Sequence, residues 1–213
     1  MLSIVAKLAC AGSAAALVCA SVASAQTPAP PAADYTAAGS GVAVRYLGGS
    51  ADDASTLSYR VGAFDGSATD WVTLFTNSGP GAPAVGTEFL LAGAGGNPLT
   101  AGSTVIFRLF NETRGFAFFS GAAARNADDA THVMMTAGSG QASRFGGAYT
   151  LAFNFEDLMG GTEAPASDWD YNDLRFEATN LAVTPEPATV ALMGAGLLGL
   201  AAAARRRQVA RRA

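Results

Sequence analysis

From residue 41 onward the chain sets apolar side chains at alternate positions in short runs, each cut off by Gly, Asn, Asp, Ser or Pro. A period of two gives a pleated strand one buried and one solvated face, and no part of this region sustains the three-four spacing of a helix. The runs predict strands over 42–47, 56–61, 71–76, 87–91, 104–110, 115–120, 132–136, 148–155 and 174–181. Short strands separated by turns predict an all-β fold, a single antiparallel β-sandwich or jelly-roll-like domain over 41–183. Leu47, Val61, Phe64, Trp71, Phe107, Phe118, Phe153 and Phe176 are among its core candidates. The breaks at 77–86 and 93–102 exceed hairpin turns and read as surface loops. Ala92-Gly93-Ala94-Gly95-Gly96 is followed by neither a helical pattern nor a Lys, so it is a loop and not a phosphate cradle.

The two ends break this pattern. Residues 1–25 carry Lys7 as their only charge, then an apolar stretch over 8–22, then Ala23-Ser24-Ala25 before Gln26. That order predicts a secretory signal cleaved between Ala25 and Gln26. Cys10 and Cys19 both lie inside it, and Val18 stands where a lipidated cysteine needs a small residue, so the mature chain has no thiol. Disulfides, thiolate catalysis and cysteine-ligated zinc are thereby excluded. Mass spectrometry of the exported protein is expected to show Gln26 as its first residue; a retained, lipid-bearing Cys19 would contradict this. Residues 26–40, rich in Pro and Ala, read as a flexible lead-in.

At the other end, residues 184–213 hold Pro185-Glu186-Pro187, an uncharged stretch over 188–204, and then Arg205, Arg206, Arg207, Arg211 and Arg212. As a helix that stretch rises about 25 Å, at the short edge of a bilayer span, and the arginines fix its cytoplasmic side. Together the three parts resemble the PEP-CTERM sorting signal of Gram-negative bacteria. The resemblance implies transient inner-membrane anchoring by the helix and recognition by an exosortase-type membrane transpeptidase. It further implies cleavage near Pro185-Glu186-Pro187, with the product at the cell surface or in an extracellular polysaccharide matrix; a retained C-terminal anchor is the alternative. Between the two signals, residues 26–187 contain seven arginines and seventeen acids, a net charge near −10 that excludes nucleic acid as a partner.

The candidate chemistry sits in one acidic segment. Glu156 and Asp157 close one predicted strand, and Asp168, Asp170, Asn172 and Asp173 precede the next. Arg175 is the only cation between residues 145 and 204, so the carboxylates would repel unless protonated or joined by a cation. Alternating oxygen-bearing side chains suit Ca²⁺, which takes six to eight oxygen ligands. An EF-hand is excluded, because its Gly at the sixth position and Glu at the twelfth are missing. Phe155-Glu156-Asp157-Leu158 with Asp168-Trp169-Asp170-Tyr171-Asn172-Asp173 resembles the "ED…DxDYND" signature of secreted bacterial β-domains of unknown function. Trp169 and Tyr171 could stack on a sugar ring or cap the core beneath the ion.

Other polar residues have plainer readings. His132 reads as a half-buried strand residue, Asn111-Glu112 as hairpin chemistry, and Asp52-Asp53 and Asp128-Asp129 as solvated turns, either of which could add a ligand if its loop folds against the acidic cluster. Glu156 with Asp168 or Asp170 could mimic a glycosidase pair, but crowded oxygens fit a cation better than two carboxyls that need separate pKa values. The chain is thus expected to be an exported structural or binding protein of the cell surface or polysaccharide matrix, with a calcium-stabilised loop and no enzymatic activity. A calcium-dependent carbohydrate-binding module is the alternative, and a glycoside hydrolase a more distant one.

Overall fold

Strand β1 (Tyr35–Ala37) is the first element of the computed structural model, which describes residues 34–161, 166–184 and 195–199. It is followed by β2 (Ala43–Gly48), β3 (Ser55–Val61), β4 (Val72–Thr76), β5 (Glu88–Leu90), β6 (Thr104–Asn111) and β7 (Phe116–Phe119). The series ends with β8 (Val133–Ala137), β9 (Tyr149–Phe155), β10 (Leu174–Thr179) and β11 (Leu181–Val183). All pairings are antiparallel. One sheet runs β11-β1-β6-β3-β4, with β7 added to β6, and the other runs β5-β2-β10-β9-β8. The fold is an all-β sandwich.

Alternation makes the sandwich. On β6, Val105, Phe107 and Leu109 are buried while Arg108 and Phe110 are half-buried on the other face. Phe107 meets Phe153 and Phe176 of the facing sheet with ring centroids at 5.1 and 4.8 Å, and Tyr35 packs edge-on against Phe153 at 4.9 Å. Each such ring stabilises the fold by about 1.5–3 kcal/mol through burial, and well-oriented pairs add about 0.5–1.5 kcal/mol.

Two features depart from the sequence pattern. The predicted lead-in 26–40 contains β1, which pairs with both β11 and β6 and buries Tyr35 and Ala37. Three residues beside a Pro/Ala tract are too few to show a period, but a sheet edge is available to pair them. The predicted strand 174–181 is two strands, because Asn180 adopts a left-handed φ of 51° and turns β11 into the opposite sheet. Asn tolerates that conformation better than most residues. Its side-chain amide donates to the Ser40 and Gly41 carbonyls at 3.3 and 3.2 Å, which fixes the corner. Leu47, Val61, Phe64 and Trp71 are only partly buried, and Tyr35, Tyr59 and Tyr149 occupy core positions instead.

The ends of the strands fix the place of the acidic segment. Phe155 of β9 pairs with Leu174 of β10, so Glu156 and Asp173 leave the sheet at the same point. At the same end of the other sheet, Ser55 pairs with Asn111. The acidic loop therefore closes one end of the sandwich.

The predicted cleavage residues Ala23, Ala25 and Gln26, the Pro185-Glu186-Pro187 motif and most of 188–204 lie outside the described residues. Residues 195–199 are helical, with Leu197 and Leu198 exposed. No helix among the described residues is long and apolar enough to cross a membrane.

Candidate cation site

Glu156 is the buried centre of this end of the molecule. Its amide donates to the His132 carbonyl at 2.9 Å, which carries the β8–β9 pairing one residue past β9. Its side chain is 1% exposed, and neither carboxylate oxygen has a hydrogen-bond partner. An ionised carboxylate left in that state would cost several kcal/mol, so the group either keeps its proton or meets a cation. Burial first, and then repulsion by Asp173 and Asp168, pushes its pKa up to about 7. The Ser167 hydroxyl and the Tyr171 amide oppose the rise, but neither forms a hydrogen bond with either oxygen.

The exposed part of the site is a curled loop. Trp169 and Tyr171 take left-handed φ values of 57° and 54°, each at a cost of about 1 kcal/mol for a residue with a Cβ. Side chains close each turn: the Trp169 amide donates to Ser167 Oγ (3.1 Å), the Asp170 amide to Asp168 Oδ1 (3.3 Å) and the Asn172 amide to Asp170 Oδ1 (3.1 Å). Inverting the chain at every second residue brings alternate acids together. Glu156, Asp168 and Asp170 each offer an oxygen within 4.8 Å of the others. Ser50 donates its amide to the Asn172 carbonyl at 3.0 Å, and Gly49 lies so close to the Asp173 carbonyl that a Cβ there would sit 2.1 Å from it.

The other predicted ligands line the same cavity, of about 390 Å³, in more committed roles. Asp157 accepts from Ser55 Oγ at 2.8 Å, and its amide donates to Asp173 Oδ2 at 2.8 Å. Burial and then the charge of Asp173 push Asp157 up to about 7. Asp173 is likewise raised, by burial first, against the opposing Asp157 amide. Asn172 donates its side-chain amide to Asp170 Oδ2.

Several contributors were hidden in the sequence. Arg114 lines the same cavity, whereas Arg175 is exposed. Yet Arg114 is committed to Asp53 through Nε. Asn111 bridges this pair to the loop, donating to Asp53 Oδ2 and to the Asp157 carbonyl at 2.9 Å each. Burial raises the Asp53 pKa, but hydrogen bonds from Asn111 and Arg114 outweigh it and hold the group below its ordinary value. Asp53 is therefore no solvated turn, and Asp52 lines the same cavity. Asn111 keeps its hairpin role as well, accepting from the Arg114 amide at 3.0 Å.

Asp128 is also more than a turn residue. Its Oδ2 accepts from the Gly160 amide at 2.8 Å and lies 2.9 Å from His132 Nε2. His132 is fully buried rather than half-buried, stacked between Phe118 (4.1 Å) and Trp169 (5.3 Å), and its Nδ1 has no partner. Burial first holds its pKa below the ordinary value, against the opposing pull of Asp128. Trp169 leans on Gly160, where a Cβ would come within 2.7 Å of the indole. The Tyr171 hydroxyl donates to the Thr131 carbonyl at 3.0 Å, so this ring caps the core, whereas Trp169 remains 39% exposed.

The domain ends where a second feature begins. Val183 closes β11, the Thr184 amide donates to the Asp34 carbonyl at 2.8 Å, and a model for the PEP-CTERM protein-sorting motif matches residues 183–207. The chain carries a PEP-CTERM sorting signal. That motif implies an exported protein sorted through the membrane and processed by an exosortase. No curated protein and no solved structure matches the chain. Because the signal starts at the last strand, replacing Pro185-Glu186-Pro187 with alanines is expected to leave the domain folded but held in the membrane fraction. Unchanged release on cell fractionation would contradict that.

Proposed function

We propose that the acidic loop binds one Ca²⁺ ion, and that the protein is a calcium-stabilised structural or binding component of the cell surface or its polysaccharide matrix. The observation that carries this is Glu156: a buried carboxylate with both oxygens unpartnered, facing Asp168 and Asp170 across a cavity. Glu156, Asp168 and Asp170 would supply the first ligands, with Asp173 and Asp157 close enough to add charge. Among the described residues none of these five carboxylates has an ion-pair partner, and Arg114, committed to Asp53, tempers only Asp157 from a distance, so a divalent cation would relieve the remaining repulsion. A curled loop with flexible carboxylates suits the irregular shell of Ca²⁺ better than the rigid octahedron of Mg²⁺. Titration calorimetry of the exported protein is expected to show one calcium site with magnesium binding far more weakly. Absence of heat at millimolar calcium would end the proposal.

Asp128 then acts as a positioning residue. It ties Gly160 and His132 together, and through the ring contact it holds Trp169 beside Asp168 and Asp170. Asp128→Ala is expected to weaken calcium binding about tenfold, the lower end of losses seen when a supporting partner of a metal ligand is removed. Calorimetry on the variant, with circular dichroism to check its fold, reads this directly.

A second reading rests on Trp169. An indole left 39% exposed beside exposed carboxylates could stack on a sugar whose hydroxyls complete the ion's shell. A glycan array run with and without chelator separates this calcium-dependent carbohydrate-binding role from a purely structural ion. We propose no catalytic step; turnover of a chromogenic glycoside that vanished in Glu156→Gln would overturn that.

A further inference from the structure

At the opposite end of β3 from Ser55 lies a second recess, a cleft of about 690 Å³. Seven residues of strand separate the two sites by roughly 20 Å. One wall of the cleft is Tyr59, Arg60 and Val61 of β3, another is Asp70, Trp71 and Val72 at the start of β4, and the floor is the loop holding Gly93, Gly95 and Gly96. We propose that this cleft binds a neutral saccharide, with a pyranose ring laid against the Trp71 indole.

Trp71 is only half-buried, yet it is held from several sides. Its Nε1 donates to the Ser67 carbonyl at 3.1 Å, the Arg108 guanidinium stands 4.7 Å over the ring, and Phe119 packs beside it at 5.6 Å. An indole pinned in this way but still lining a cleft is a fixed platform, and a fixed platform loses little rotamer entropy when a ligand lands on it. A pyranose fits an aromatic face because its axial C–H groups are apolar while its hydroxyls ring the edge.

The polar groups set the ligand's charge. Both nitrogens of the Arg60 fork are committed to the two oxygens of Asp65, and Asp70 reinforces the charge on Arg60 at longer range. A guanidinium already paired with a carboxylate has little net charge left to draw in a free anion, while its remaining donors and the carboxylate acceptors can serve hydroxyls. Asp70 reaches the wall by taking a left-handed φ of 67°, a conformation Asp tolerates, which turns the chain directly before Trp71. The floor is open: a Cβ on Gly96 would meet no atom within 4 Å, so a ring can approach the backbone. The Tyr59 hydroxyl, donating to the Ala92 carbonyl at 2.8 Å, holds floor and wall together.

The chain has two tryptophans, so Trp169→Phe leaves Trp71 as the sole indole reporter. Titrating that protein with neutral oligosaccharides of glucose, galactose or mannose is expected to change its fluorescence saturably, equally in calcium and in EDTA. Trp71→Ala, assayed by calorimetry in the otherwise native chain, is expected to weaken binding about tenfold or more. Trp71→Phe, which keeps a ring, and Asp70→Asn, which keeps the backbone conformation, are expected to lose less. Overturning results are silence toward every neutral oligosaccharide at millimolar concentration, preference for an acidic sugar or an aromatic peptide, or equal affinity in folded Trp71→Ala. Binding that requires calcium would instead place the sugar at the acidic loop.

Discussion

Calcium at about 10 mM is expected to raise the melting temperature of the exported protein by on the order of 5 to 10 °C over the same protein in EDTA. The size follows from linkage. Extracellular calcium modules bind with dissociation constants of roughly 10⁻⁴ to 10⁻³ M. At the tight end, binding to the native state alone stabilises it by about 2.7 kcal/mol. The unfolded chain scatters Glu156 from Asp168 and Asp170, so it offers no comparable site. Asp170→Ala removes a carboxylate that is both a proposed ligand and the acceptor for the Asn172 amide, and is expected to abolish most of the shift. Asp129→Asn, at an exposed left-handed position outside the cavity, is expected to keep it. Asp52 would be a poor control, since it lines the same cavity. Melts monitored by circular dichroism in both buffers measure each shift.

Without calcium, Glu156 and Asp157 are expected to cost stability as pH rises. Glu156 and Asp157 are both pushed up to about 7 in the folded protein, whereas in an unfolded chain they return to about 4. At these two positions the native protein holds protons that the unfolded chain has released, so their contribution to stability is fully present below about pH 4 and lost as pH rises through about 7. Glu156 alone would cost on the order of 2 kcal/mol between about pH 5 and pH 8, after discounting for water in the cavity. Calcium reverses the slope, because it binds the deprotonated ligands. Glu156→Gln removes the buried charge, so the variant in EDTA at high pH is expected to melt higher than the native protein while gaining nothing from calcium. A change in stability between pH 5 and pH 8 in EDTA that is the same in Glu156→Gln as in the native protein would contradict the assignment of Glu156.

How much of this was legible in the sequence follows from how far apart the participants lie. Glu156, Asp168 and Asp170 sit in one segment between two strands that pair, so their meeting could be read from spacing and alternation alone. Asn111 ends β6, and Asp53, Arg114 and Asp128 arrive from separate turns, so their local sequences are those of ordinary turns. Only the register that sets Ser55 beside Asn111 brings Asp53, Asn111 and Arg114 to Asp157, while Asp128 reaches His132 and Gly160 instead. The burial of Glu156 was equally hidden, because it depends on β8 passing its carbonyl from His132 to the Glu156 amide. Nine predicted strands became eleven for local reasons: β1 is too short to show a period, and the corner at Asn180 is a single residue's φ. The sorting signal was the easiest to read, since it is contiguous and needs no fold.

The most direct measurement of the central claim is terbium luminescence in the exported protein. Tb³⁺ takes the oxygen ligands of Ca²⁺, and an ion held by Glu156, Asp168 and Asp170 would lie beside the Trp169 indole, which can pass it excitation. The expected result is sensitised emission that saturates at one ion per chain, is competed away by calcium but not by magnesium, and disappears in Glu156→Gln and Asp170→Ala. Emission that never saturates, or that survives both substitutions unchanged, would show that the acidic loop holds no ion.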